Sequence, residues 1–165
     1  MATVTDRALD EEEAGEFRQF KEDTLELLDS VLVGVEPKLI ADAIDSRVDA
    51  NQQNALNSDD ELSQDAAIAL ALGLGSLFGA QVETAFGWEW RCIVEGTEEK
   101  YGLVSPNRAL AIYPTMFIKS CLDDPNVDCR LMLAFNMLAA GRFDDFPAGG
   151  YLDVLDQVVR IVPRR

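Results

Sequence analysis

Between Ala66 and Gln81 the chain runs without a single charged residue, although it holds 30 Asp/Glu and 14 Lys/Arg for a formal net charge of −16. An apolar stretch of that length in so acidic a chain has to be buried, and its length suits a helix rather than a strand. Gly73, Gly75, Ser76, Gly79 and Gln81 interrupt it, which speaks against a membrane span and for a central helix that other elements approach closely. The helix is expected from about Glu61 to Phe86. Ser58-Asp59-Asp60-Glu61 has the spacing of a capping box at its start, and Gly87 is placed to cap its end.

After Gly87 the period changes from 3.6 to 2. Trp88, Trp90, Cys92 and Val94 alternate with Glu89, Arg91, Ile93 and Glu95, the pattern of a strand with one face in the core. Arg91 and Ile93 then lie on the second face, which is expected to be partly open or covered by another element or a partner. Tyr101–Ser105 and Ala109–Tyr113 read as two further strands, joined by the turn Ser105-Pro106-Asn107-Arg108, and the short connections predict an antiparallel meander. Pro114 opens a helix through about Leu122, Asp128–Ala140 forms another, residues 141–150 make a loop, and Tyr151–Val162 reads as a last helix.

Upstream of the central helix, residues 1–13 show little periodicity and end in the like-charge run Glu11–Glu13, so they read as a flexible acidic arm. Phe17, Phe20, Leu25, Leu27, Leu28, Val31 and Leu32 then fill one side of a helical wheel, and acidic residues most of the other. Gly34 and Pro37 separate this helix from a second one with Leu39, Ile40, Ala43 and Ile44 as its buried stripe, and the two form an amphipathic N-terminal hairpin. Asn51–Asp60 is polar and reads as a linker. At 165 residues and 48% hydrophobic content the chain suits one core, so residues 14–165 are expected to be a single domain. The expected class is α+β, a small three-stranded antiparallel meander on a central buried helix, with the N-terminal hairpin and C-terminal helices around it.

The charge is polarised. Residues 1–65 carry 18 Asp/Glu against 5 Lys/Arg, a net of −13, and residues 66–165 carry 12 against 9, a net of −3. Such a field repels nucleic acid and lipid headgroups and speeds encounter with a basic protein. The candidate partner-binding residues are Glu22, Glu26 and Asp29 on the first helix, Asp42, Asp45 and Asp49 on the second, and Asp144 and Asp145 in the glycine-flanked loop. No histidine is present, which removes the commonest general base and metal ligand, and neither a cofactor nor a metal is expected. Cys92, Cys121 and Cys129 match no zinc or thioredoxin spacing and read as reduced core thiols, with a Cys121–Cys129 disulfide as the weaker alternative.

Two motifs fail on context. Gly73-Leu74-Gly75-Ser76-Leu77-Phe78-Gly79 has one residue too many for a dinucleotide loop and lies inside a helix pattern, so its small residues serve close packing. Asp124-Pro125-Asn126-Val127-Asp128 starts like a calcium loop, but Cys129 and Phe135 stand where glycine and glutamate are needed, and helix capping by Asp124 and Asp128 is the expected role.

Phe86-Gly87-Trp88-Glu89-Trp90, Ser105-Pro106-Asn107-Arg108, Tyr113-Pro114 and Phe135-Asn136-Met137-Leu138 together resemble a bacterial family catalogued only as a domain of unknown function, over roughly residues 60–140. The resemblance implies a small α+β fold with a meandering sheet and carries no reaction or cofactor. The expected function is therefore a non-enzymatic, cytoplasmic protein-binding module. It suits an immunity protein or antitoxin that blocks a basic toxin or nuclease-like surface, with neither nucleic acid nor membrane as its direct partner. The alternatives are a hydrolase or transferase using Asp/Glu, Ser or Cys, and an acidic mimic of nucleic acid.

Overall fold

The computed structural model describes residues 3–28, 35–58 and 62–161. Asp29, Val31, Leu32 and Gly34, and the Asp59-Asp60-Glu61 part of the expected capping box, lie outside them. The chain order is β1 (Val4–Ala8), α1 (Glu11–Leu27), α2 (Pro37–Asn57), α3 (Gln64–Phe86), β2 (Glu89–Glu95), β3 (Glu98–Val104), β4 (Leu110–Ile112), α4 (Pro114–Asp123), α5 (Leu131–Ala139), β5 (Leu152–Asp153) and α6 (Val154–Ile161).

The α3 helix is the expected centre. Ser63 caps its first turn by accepting the Ala66 N–H at 3.1 Å, and Gly87, at φ +69°, closes it in the left-handed conformation that glycine adopts without steric cost. By length and composition α3 could cross a bilayer, but 61% of its apolar window is buried in the molecule, where α1, α2 and α4 pack around it. The small residues of α3 let its neighbours in. A Cβ at position 79 would stand 2.3 Å from the Trp90 ring, so the indole rests directly on the helix backbone. Phe78, Leu74 and Leu77 form the middle of the core with Ile44, Leu103, Ile112, Ile118 and Leu131.

The sheet has five strands in the order β1-β2-β3-β4-β5. The first four pair antiparallel, and β5 pairs parallel to β4 after a long return through α4 and α5. The meander is thus correct for β2–β4, and the three-stranded description is too small. The residues expected to be a flexible arm supply β1, with Asp6 opposite Ile93 and Arg7 opposite Cys92, so the acidic N-terminus is an edge strand rather than a tail. Asp10 then starts α1 with a true capping box, its carboxylate accepting the Glu13 N–H while Glu13 accepts the Asp10 N–H. At the other edge, β5 takes Leu152 and Asp153 out of the expected last helix.

The N-terminal helices also differ from expectation. Asn51–Asn57 continues α2 instead of forming a linker, because buried Gln52 donates to the carbonyls of Cys121 (2.9 Å) and Val127 (2.6 Å) and ties the helix to α4 and the segment after it. Ser58 closes α2 rather than capping α3. In place of a hairpin, α1 packs on α3, while α2 packs on α3, α4 and α5. Leu27 and Leu39, both assigned to buried stripes, are exposed at 75% and 48%, and Thr24 is the residue of α1 that is buried against Gly73.

The two sheet faces have distinct roles. Trp90, Cys92, Leu103 and Ile112 face the helices, as expected for the even-numbered residues of β2, and Trp88 is buried just before the strand. The opposite face carries a second, smaller cluster of Ile93, Val104 and Ala111 with Val4, Tyr113 and Tyr151, and among the described residues no helix contributes to it.

Candidate functional site

Of the eight candidate partner-binding residues, Glu22, Glu26, Asp42, Asp49, Asp144 and Asp145 are exposed, and Asp29 is outside the described residues. Asp45 is different. Its Oδ1 accepts the Leu131 N–H at 2.8 Å and its Oδ2 the Met132 N–H at 2.9 Å, so it caps α5 from across the molecule. Burial pushes the Asp45 carboxyl above the usual carboxylate range in spite of those two bonds. It is a structural cap. This also corrects the capping expected of Asp128, which instead accepts from Arg130 at 2.7 Å. Asp124 ends α4 and accepts the Asn126 N–H at 3.0 Å in the following turn.

The acidic rows do not merge by helix pairing, since α1 and α2 each pack on α3 rather than chiefly on one another. The α2 row borders a cleft of about 410 Å³ whose walls include Asp45, Asp49, Gln52, Asp128 and Arg130. Among the described residues no group of three or more His, Cys, Asp or Glu side chains could hold a metal ion.

A cluster that the linear sequence did not reveal lies on the second sheet face. Asp6, with its side chain 6% exposed, accepts the Tyr151 hydroxyl and Arg91 Nε, and Arg108 donates Nε to its Oδ1 at 3.1 Å and Nη2 to its Oδ2 at 3.2 Å. Burial alone would raise the Asp6 pKa, but the bonds from Tyr151, Arg108 and Arg91 outweigh it and hold the carboxyl at about 2. Arg108 and Tyr151 both occupy positive φ, at +57° and +46°, a conformation that costs a non-glycine residue energy and here aims both side chains at one carboxylate.

On the helix-covered face the next residue, Arg7, makes a bidentate pair with Glu13 at 2.9 Å for both bonds, and Tyr101 donates to the same carboxylate at 2.7 Å. Arg7, with Tyr101 and the Asp10 N–H, lowers Glu13 to about 2. Phe17 stacks on Trp90 at 4.3 Å beside this pair. Consecutive residues of β1 therefore lock the edge strand from both sides of the sheet.

Where β1 and α1 meet α3 and β2, a cleft of about 420 Å³ opens, lined by Phe17, Arg18, Lys21, Glu83, Trp90 and Arg91 among others. Arg91 links it to the Asp6 cluster, because its Nε is held by Asp6 and its Nη1 lies 3.7 Å from Glu89.

The cysteines are placed as core thiols. Cys92 and Cys121 are fully buried, and Cys129 is half-buried with its thiol hydrogen-bonded to Cys121 and Asp45. Burial raises the Cys92 pKa, and the bond to Cys121, followed by burial, raises that of Cys129 well above the ordinary value. Alkylation of the folded protein at neutral pH is expected to be at least about ten-fold slower than that of a free thiol. Mass spectrometry after a timed iodoacetamide pulse checks this, and one rapidly labelled cysteine would refute the assignment.

No family model matches the chain, and neither does any curated protein or solved structure.

Proposed function

We propose that this protein is a non-enzymatic module that binds a basic protein surface, in the manner of an antitoxin or immunity protein that occludes the substrate groove of a cationic toxin or nuclease. The observation that carries the reading is the exposure of Glu22, Glu26, Asp42 and Asp49 on two helices whose buried sides are already occupied by the core. Glu22 and Glu26 are one turn apart, and like charges at that spacing repel by about 0.2–0.5 kcal/mol in a helix, a cost that a cationic partner would relieve. With a net charge of −16, the molecule would steer such a partner over distances near the Debye length. The placement of Cys92 and Cys121 away from solvent supports the binding reading over a thiol-dependent hydrolase or transferase.

The test uses the full chain as bait in host lysate at low salt, with partners identified by mass spectrometry and association then measured by surface plasmon resonance. Glu22→Lys with Glu26→Lys, and separately Asp42→Lys with Asp49→Lys, should each leave the circular dichroism spectrum intact. At least one pair should slow association about ten-fold or more and flatten its salt dependence. Unchanged on-rates at low salt in both double variants would remove these helices from the interface and overturn the reading.

A further inference from the structure

Arg18 and Lys21 line the 420 Å³ cleft from α1, and among the described residues neither forms an ion pair. Arg7, Lys38, Arg91, Lys100, Arg108, Lys119 and Arg130 all sit within 4 Å of a carboxylate; Arg47 and Arg142 resemble Arg18 and Lys21 in having no ion pair among the described residues, but neither lines this cleft. The other charges in the cleft are engaged. Arg91 is held by Asp6 and Glu89, and Glu83 accepts the main-chain N–H of Trp90 while lying close enough to Lys21 to feel its charge. Arg18 is therefore the cation lining the cleft that has no carboxylate within ion-pair distance among the described residues, and Lys21, one helical turn on, is shared only loosely with Glu83.

The cleft also has an apolar floor. The Trp90 indole packs its Nε1 edge against Gly79, next to Ser76, Ala80 and Glu83, the α3 positions that line the cleft. That N–H has no hydrogen-bond partner among the described residues. Phe17, stacked on the same indole, and Ala8, Ala14 and Ala80 supply apolar wall. The volume falls in the range of about 300–1,000 Å³ typical of small-molecule sites, and such sites combine apolar lining with a few placed polar groups.

We propose that this cleft binds a small amphiphilic anion, a carboxylate on a flat aromatic body. Its carboxylate would sit between Arg18 and Lys21, and its ring would lie along Phe17 and Trp90. A guanidinium suits a carboxylate because its planar donors match the two oxygens. The site is separate from the exposed acidic residues proposed to meet a protein partner, and it can be occupied whether or not that proposal holds.

The chain contains two tryptophans, so a proton–nitrogen correlation spectrum has two indole signals, assigned here with Trp90→Phe. Naphthoate is the probe. Saturable movement of the Trp90 indole signal with naphthoate, with the signal of buried Trp88 unmoved, is the expected result. Neutral naphthamide should bind the unmodified protein about ten-fold more weakly, and Arg18→Ala with Lys21→Ala should weaken naphthoate to a similar extent while the rest of the spectrum superposes. Absence of saturable movement at millimolar naphthoate would overturn the proposal. So would equal affinity for the acid and the amide, or naphthoate binding undiminished in the double variant. The acid–amide comparison needs no mutation, so a folding defect in the variant leaves the proposal exposed to refutation.

Discussion

Asp6→Asn should lower stability by about 3 kcal/mol, the order expected when one partner of a largely buried charge cluster is removed and the other charges remain. For a chain of this size that corresponds to a fall in Tm of about 10 °C. Two arginines and Tyr151 converge on this carboxylate, and its side chain is only 6% exposed, so water cannot readily replace the lost charge. The pH dependence has a definite sign. The Asp6 pKa is about 2 in the folded protein against an ordinary 3.8, so the unfolded chain takes up the proton first and acid favours unfolding. The stabilisation is complete above about pH 4 and is lost as the pH falls toward 2. Asp45, Asp153 and Glu83 act in the opposite sense, since burial raises each of them and their neutral forms favour the fold. The Asp6 contribution is therefore read as the difference between the parent and Asp6→Asn in thermal melts at about pH 2.5, 4 and 6. A difference in Tm that stays constant across that range would show that the carboxylate charge does not hold β1 in place.

Gly75→Ala should destabilise the protein by about 2 kcal/mol, although alanine is the better helix former by about 1 kcal/mol. A Cβ at position 75 would stand 2.8 Å from the backbone N and Cα of Thr115 and 2.5 Å from its Oγ1, so α4 would have to move as a unit. The same closeness leaves the Thr115 hydroxyl buried without a partner among the described residues. Gly15→Ala is the matched control. Nothing lies within 4 Å of a Cβ there, and position 15 is inside α1, so this change should raise stability by about 1 kcal/mol. Urea unfolding of the two variants should shift the midpoint in opposite directions with unchanged slope. A midpoint for Gly75→Ala at or above that of the parent would mean that α3 and α4 can separate without loss.

Elements with a complete local signal could be read from the chain. The uncharged run from Ala66 to Gln81 implied a buried central helix, Gly87 marked its end, and the alternation from Glu89 to Glu95 with a polar turn after it implied the first hairpin. Each depends on residues a few positions apart, so periodicity and turn chemistry suffice. The exposed acidic positions were legible for the same reason, since a charge on the polar side of an amphipathic helix is normally solvated. Asp45 was misread because its partners, Leu131 and Met132, are 86 and 87 residues away, and no local pattern announces a cap that arrives from another helix.

The edge strands and the two side-chain sites were decided by tertiary structure. Val4–Ala8 has weak alternation of its own and becomes a strand because β2 offers it a pairing edge, Arg91 and Arg108 hold Asp6 on one face, and Glu13 holds Arg7 on the other. β5 is two residues long, too short to show a period, and exists only beside β4. Asp6 lies 85, 102 and 145 residues from Arg91, Arg108 and Tyr151, and the cation-lined cleft draws on β1, α1, α3 and β2. Sequence by itself determined the central helix and the β2–β4 meander, because those preferences act through neighbours along the chain. Which charges meet was left to the packing of α1 and β1 onto α3 and the sheet, because ion pairs and clefts depend on distances in space that no spacing in the chain encodes.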